Sequence, residues 1–376
     1  MPKRILSIFG TRPEAIKMAP VVHGLEMDAR FDSRVLLTGQ HLQMLDDVVQ
    51  LFGMTIWRDL KVMRERQSLP YLTATLVTKL SEAVRELHPD LVLVHGDTTT
   101  TLMGALAATY EKVPVAHVEA GLRSYQKYSP FPEEVNRRLA DQLSDICFAP
   151  TAEAGNNLLR EGVDSTRIHV VGNTIVDAVG MALPLIRPPS VLQGVPGDQP
   201  IVVVTAHRRE NWDTGIAVFS DALVRLSRKY PGLLFIFPVH LNPVVRETVF
   251  KVASGLPNVI LTDPMPYFDF LYLLKRAAVV MSDSGGIQEE CVTLHKPMLL
   301  LRKVTERPEA VASGWVTLVG DDLDQILSSF AALAERGFQG AGNVAANPYG
   351  EGTAAQQILE AISAYLCTQE AEDSTT

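Results

Sequence analysis

Short apolar runs punctuate this chain, and each ends in a polar or glycine-bearing junction followed by a segment with helical spacing. Arg4–Phe9 (RILSIF), Arg34–Thr38 (RVLLT), Asp90–Val94 (DLVLV), Pro114–Val118 (PVAHV), Ile201–Thr205 (IVVVT) and Ala277–Met281 (AAVVM) are five or six residues long. That is strand length, and near-continuous apolar character is what a strand covered on both faces requires. Strands of this kind alternating with helices specify parallel α/β sheets. At 376 residues the chain is too long for a comfortable single domain. The aperiodic stretch Arg187–Pro200 (RPPSVLQGVPGDQP) interrupts the alternation, which then restarts. The expected organisation is a first α/β domain over 1–186, a linker over 187–200, a second α/β domain over 201–353, a helix over 354–367 and a disordered acidic tail over 368–376.

Composition narrows the function. A net charge of -9 speaks against a nucleic-acid-binding surface, which needs a basic patch. No run is long and apolar enough to span a bilayer, and MPKRILSIFG enters a strand directly, so a cytoplasmic protein without membrane contact is expected. The three cysteines, Cys147, Cys291 and Cys367, are far apart and form neither a disulfide framework nor a metal-ligand pair.

The chemistry concentrates at the junctions after the strands. In Ser282–Glu290 (SDSGGIQEE), Gly285 and Gly286 let backbone approach a ligand, Ser284 adds a hydroxyl, and the helix start offers free N–H groups to an anion such as a diphosphate. Glu290 stands where a carboxylate can accept ribose hydroxyls. The alternative is an ordinary turn with Asp283 or Ser284 capping the helix. Arg12 and Lys17 follow the first strand, and His207 stands between a strand and two arginines, Arg208 and Arg209. His207 is either a phosphate donor or a structural histidine. Asp97 and Glu119 end successive buried strands, and Glu133 opens a helix after Pro132. In that first turn a carboxylate also complements the helix dipole, so structure alone accounts for Glu133 or Glu134. Tyr267, Phe268 and Phe270 are each either core or a stacking surface.

Taken together, FGTRPEAIKMAP (Phe9–Pro20), VHGDTTTT (Val94–Thr101), HVEAGLRS (His117–Ser124), PEEVNRR (Pro132–Arg138), AHRREN (Ala206–Asn211), PVHLNPVVRE (Pro238–Glu247), DSGGIQEE and TERPEA (Thr305–Ala310) closely resemble the non-hydrolysing UDP-N-acetylglucosamine 2-epimerases. The resemblance runs from about residue 4 to about residue 366. It implies a glycosyltransferase-B-type fold, two Rossmann-like α/β domains facing a central cleft, with the C-terminal helix crossing back to the first domain. It also implies a homodimer and no cofactor. By similarity Ser284, Gly285, Gly286 and Glu290 hold the UDP diphosphate and ribose, with Arg12, Lys17, His207 and Arg307 around the phosphates and Phe270 beside the uracil. Asp97, Glu119, Glu133 and His207 match the catalytic positions, Asp97 and Glu119 also contacting substrate. Gln40, His41, Gln43, Arg66, Gln67, Arg208 and His240 match a regulatory UDP-sugar site.

The implied reaction converts UDP-N-acetylglucosamine to UDP-N-acetylmannosamine. The hydrogen on carbon 2 has no adjacent carbonyl to acidify it, so direct deprotonation is implausible. Loss of UDP from carbon 1 develops positive charge beside that hydrogen, and a carboxylate then removes it to leave a glycal. Re-addition of UDP follows protonation from the other face. The sequence does not apportion base and acid among Asp97, Glu119 and Glu133. The rival readings are a hydrolysing epimerase that releases N-acetylmannosamine and UDP, a glycosyltransferase of the same fold, and a catalytically silent nucleotide-sugar sensor.

Overall fold

In the computed structural model, which describes residues 1–39, 42–64, 67–206, 215–340 and 347–373, the apolar runs of the first half pair as one parallel sheet. Two units result, Met1–Met181 with Tyr349–Thr376, and Ala182–Pro348.

In the first unit the elements alternate: β1 (Lys3–Phe9), α1 (Arg12–Met27), β2 (Phe31–Leu37), α2 (Leu42–Leu51), β3 (Ile56–Asp59), α3 (Leu69–Leu87), β4 (Leu91–His95), α4 (Thr99–Tyr110), β5 (Val115–Val118), α5 (Glu133–Leu143), β6 (Ile146–Ala149), α6 (Ala152–Arg160), β7 (Ile168–Val170) and α7 (Thr174–Ala182). The strand order is β3-β2-β1-β4-β5-β6-β7. Sheet order therefore reverses between β1 and β4, the place where open parallel sheets bind ligands beyond their carboxyl ends. All five residues of β4 are buried. On one face, Ile8, Val92 and Val94 pack with Met103, Ala105 and Ala108 of α4 and Leu76, Leu80 and Val84 of α3. Gly104 brings α4 close: a Cβ there would lie 3.0 Å from Val94 Cγ1, tighter than ordinary contact.

The second unit holds β8 (Ile201–Thr205), α8 (Gly215–Lys229), β9 (Leu234–Pro238), α9 (Pro243–Ala253), β10 (Val259–Thr262), α10 (Tyr267–Arg276), β11 (Ala277–Ser282), α11 (Gly285–Thr293), β12 (Met298–Leu300), α12 (Pro308–Ala312), β13 (Val316–Leu318) and α13 (Leu323–Glu335). Its order, β10-β9-β8-β11-β12-β13, repeats the reversal between β8 and β11. Phe235, Phe237, Phe219 and Phe330 dominate one core face, and burial of each ring contributes about 1.5–3 kcal/mol.

The structure differs from the expected organisation at three places. Arg187–Pro200 falls inside the second unit, because Leu234 N–H donates to the Pro200 carbonyl (3.0 Å) and Arg276 reaches the Gly197 carbonyl. The chain returns to the first unit at Tyr349, where Asn173 N–H donates to the Tyr349 carbonyl (2.8 Å). The last helix, α14 (Ala354–Asp373), continues into the acidic stretch expected to be a disordered tail. Its Gln-Glu-Ala-Glu sequence consists of good helix formers, and propensity outweighs charge there. Against α1, Leu359 of α14 comes so close to Gly24 that a Cβ would meet its side chain at 3.0 Å.

Cys147 and Cys291 are buried, and burial pushes the Cys147 thiol up to about 12, so both serve packing. Among the described residues no helix is long and apolar enough to cross a membrane.

Candidate active site

In the first unit the junctions after β1, β4 and β5 lie along one edge of the sheet, on neighbouring strands. Gly10 ends β1 beneath the hydroxyl pair of Thr38 and Thr100, which hydrogen-bond at 2.8 Å; a Cβ at Gly10 would collide with Thr38 Oγ1. Thr11 then caps α1, placing Arg12 in its first turn. Glu14 reaches back to that turn and accepts the N–H groups of Gly10 (3.0 Å) and Thr11 (2.7 Å) on one oxygen, the capping-box arrangement. Its other oxygen accepts the Thr98 hydroxyl (2.7 Å), tying the β1 turn to the β4 turn. Burial pushes the Glu14 carboxyl above its ordinary value, against the pull of those donors.

Asp97 follows Gly96, whose φ of +72° suits glycine. The Asp97 carbonyl accepts from Asn136 Nδ2 (3.0 Å), and its carboxylate is ion-paired with Arg137. The same guanidinium donates to Glu134 (2.9 Å). Glu134 also accepts the N–H groups of Ser124 and Tyr125, both at 3.0 Å. Of the two adjacent acids, Glu134 is thus fully buried and holds the loop after β5, whereas Glu133 beside it is half-buried at the start of α5.

Glu119 follows β5 with φ at +68°, a left-handed backbone that costs a residue with a Cβ about 1–2 kcal/mol. Its carboxylate is ion-paired with Lys17 of α1, both side chains being at most 8% exposed, and accepts from Asn173 Nδ2 (3.1 Å). His95 Nε2 lies 3.9 Å away, beyond hydrogen-bond reach. Lys17, expected around the phosphates, therefore lies against a carboxylate in this structure.

In the second unit, β11 delivers Asp283 and Ser284 to the start of α11. Ser284 is the N-cap, but its side chain does not cap the helix, which leaves the first N–H groups to a ligand. A Cβ on Gly285 would lie 2.9 Å from Arg307 Nη1. Arg307 is held there by ion pairs to Glu289 and Glu306, and Arg302 donates to Glu306 at 2.8 Å. Glu290 is buried on the same helix, and Phe270 is buried on α10. Among the described residues no group of three His, Cys, Asp or Glu side chains is placed to hold a metal.

A family model described as UDP-N-acetylglucosamine 2-epimerase matches residues 23–363. The chain belongs to the UDP-N-acetylglucosamine 2-epimerase family. Within that family, a Neisseria meningitidis serogroup A protein named UDP-N-acetylglucosamine 2-epimerase is 44% identical over 368 residues, covering 96% of this chain and 99% of the relative. A crystal structure of UDP-GlcNAc 2-epimerase from Neisseria meningitidis bound to UDP-GlcNAc matches with a TM-score of 0.90 at 44% identity, over 96% of this chain and 99% of that one. S. aureus MnaA, in a co-structure with UDP, matches with a TM-score of 0.91 at 42% identity, over 97% of each chain.

Not every expected epimerase-family position falls where the structure describes it. His207 and Arg208 lie outside the described residues, as do Gln40, His41 and Arg66. Gln43 is on α2, Gln67 donates to Met63 Sδ at 3.4 Å, and exposed His240 accepts the Asn242 N–H at 3.2 Å. Conversely, Glu14, His95, Asn136 and Asn173 surround the carboxylates without having been singled out from sequence. The first three sit inside the quoted family strings, so proximity in sequence was the available signal. Asn173, 54 residues from Glu119, gave none. Arg137, spaced four residues after Glu133 to pair with it, pairs with Glu134 and Asp97.

Proposed function

We propose that this chain interconverts UDP-N-acetylglucosamine and UDP-N-acetylmannosamine without net hydrolysis. The observation that carries the reading is the placement of Asp97 and Glu119 at the ends of neighbouring strands, each carboxylate matched to a buried cation, Arg137 and Lys17. Family membership and relatives solved with UDP-GlcNAc and UDP support the substrate.

The C1–O bond breaks first or in concert, and UDP leaves with the electron pair. A carboxylate takes the proton from carbon 2, and the C1–C2 double bond of the glycal forms. A second acid delivers a proton to the opposite face of carbon 2, while a phosphate oxygen of UDP re-forms the bond to carbon 1. Asp97, Glu119 and Glu133 handle the protons. Ser284, Gly285, Gly286 and Glu290, with Arg12, Arg307 and His207, hold the UDP, and Phe270 flanks the base. Positioned proton transfer contributes about 100- to 10,000-fold. The Lys17 ammonium offsets charge on Glu119.

The finer reading includes a homodimer and a second, regulatory UDP-sugar site at Gln40, His41, Gln43, Arg66, Gln67, Arg208 and His240, supported by the matched motifs. It places the activity in the cytoplasm, supplying activated amino sugar for cell-surface polysaccharide. Proton NMR of the chain with UDP-N-acetylglucosamine alone tests the activity. The expected product is intact UDP-N-acetylmannosamine, with solvent deuterium at carbon 2 when the reaction is run in D2O. Free N-acetylmannosamine as the product points to the hydrolysing reaction, and full retention of the original hydrogen sinks the elimination route.

A further inference from the structure

Asp97 and Glu119, two of the three carboxylates proposed to move protons, are carried by adjacent turns, and one buried pair of side chains touches both. His117 lies in the middle of β5 and Asp141 on α5, each completely inaccessible to solvent. His117 Nδ1 hydrogen-bonds Asp141 Oδ1 at 2.7 Å, and its Nε2 contacts the Gly96 carbonyl, also at 2.7 Å. A carbonyl only accepts, so Nε2 carries a hydrogen. An ionised carboxylate also only accepts, so Nδ1 carries one as well. The second Asp141 oxygen accepts Arg123 Nη2 (2.6 Å) and the Gly121 N–H (3.3 Å).

The geometry has a direct consequence for the site. Gly96 is the residue before Asp97, and Gly121 lies two residues after Glu119. Both glycines have positive φ, as does Glu119. The glycines adopt this conformation at little cost, but Glu119 carries a Cβ, and a left-handed residue of that kind persists only where surrounding bonds over-determine it. Strand pairing supplies the Gly96 N–H to Val118 carbonyl bond (2.9 Å) and the Ala120 N–H to Phe148 carbonyl bond (3.0 Å). The Gly96 carbonyl and the Gly121 N–H are instead taken by His117 and Asp141. Arg123 is fixed in turn by Glu161 (2.8 Å), and against burial, which raises the Asp141 carboxyl, His117 and Arg123 hold it below its ordinary value.

We propose that His117 and Asp141 form a positioning pair that fixes the Asp97 and Glu119 turns relative to one another for the reaction. Neither residue touches substrate in this scheme. The inference rests on the proposed roles of Asp97 and Glu119.

Two isosteric substitutions separate the halves of the contact. In His117→Gln the side-chain amide nitrogen occupies the place of Nε2 and keeps the donor to Gly96. In His117→Asn it occupies the place of Nδ1 and keeps only Asp141. The chain and both variants are assayed for kcat and KM on UDP-N-acetylglucosamine, with thermal melting alongside. Because each variant breaks one half of the bridge between the two turns, both are expected to lower kcat about 10- to 100-fold with KM within about threefold. A parental kcat in either variant overturns the pair. A parent inactive on this substrate defeats the proposed function instead.

Nitrogen-15 NMR of the unsubstituted protein, selectively labelled at histidine, judges the pair independently of activity and of whether the variants fold. Two protonated, slowly exchanging ring nitrogens at His117 are expected. A bare ring nitrogen there overturns the arrangement.

Discussion

Lys17 and Glu119, 102 residues apart in sequence, form a buried ion pair at the ends of β1–α1 and β5, and Asn173 donates to the same carboxylate oxygen. Removing one partner of a buried pair leaves the other uncompensated, which costs about 3–5 kcal/mol. Lys17→Met is therefore expected to lower the urea midpoint by a corresponding amount, as followed by circular dichroism. An undiminished midpoint would mean that solvent reaches the carboxylate.

The carboxylates themselves separate chemistry from binding. Asp97→Asn and Glu119→Gln keep side-chain shape and remove the proton acceptor, and each is expected to reduce kcat by about 100- to 10,000-fold. Calorimetric affinity for UDP should stay close to parental, because neither carboxylate is assigned to the diphosphate. A parallel loss of UDP affinity would reassign both residues to binding.

Glu14 offers a contrast between two substitutions. Glutamine can accept the Gly10 and Thr11 N–H groups with its oxygen and donate its amide to the Thr98 hydroxyl, so Glu14→Gln is expected to cost no more than about 1 kcal/mol. Glu14→Ala strands those buried donors and is expected to cost roughly 2–4 kcal/mol. The raised carboxyl adds a sign that can be measured: the folded state binds the extra proton, so stability from this group declines as pH rises above 4.5. Glu14→Gln lacks that decline, and its urea midpoint should gain on the parent between pH 4.5 and 7.

Asp141 runs the other way. Burial alone would raise its carboxyl, but His117 and Arg123 outweigh burial and hold it below the ordinary 3.8. Its contribution is fully present above that value and is lost as pH falls through the lower folded one. Asp141→Asn should therefore be destabilised most near neutrality, and the gap to the parent should narrow below pH 3.8 in urea titrations. A gap independent of pH would exclude the ionised carboxylate as its origin.

Gly285 has little room for a side chain, because Arg307 is pinned over it by Glu289 and Glu306. Gly285→Ala is expected to cost about 1–3 kcal/mol of stability through displacement of that guanidinium. It should also weaken UDP binding by roughly tenfold, about 1.4 kcal/mol, measured by calorimetry. Arg307→Lys in the same background should relieve part of the stability loss.

The strands were legible because burial on both faces leaves uninterrupted apolar runs, as in Leu91–His95 and Ile201–Thr205. The sheet edges were not. Ile56–Asp59 is half-buried throughout and reads Ile-Trp-Arg-Asp, and Val316–Leu318 is only three residues long, so neither carries a strong pattern. For the site, Asp97 and Glu119 could be placed after adjacent strands from the order of the chain. Their partners depended on tertiary folding: Lys17 comes from another βα unit, Arg137 from a helix, and Asn173 from the far side of the sheet order. The same holds for His117, whose ring looks from sequence like one more residue of an apolar strand.

The left-handed backbone at Glu119 makes two demands on a single codon. Glycine would satisfy the main chain and forfeit the acid, while any other residue with a Cβ inherits the conformational cost and, unless it is acidic, abandons Lys17. Saturation mutagenesis at this site should return almost no functional replacements, and those that merely fold should be enriched in small or amide residues: a position where selection for turnover and selection for robustness pull toward different amino acids.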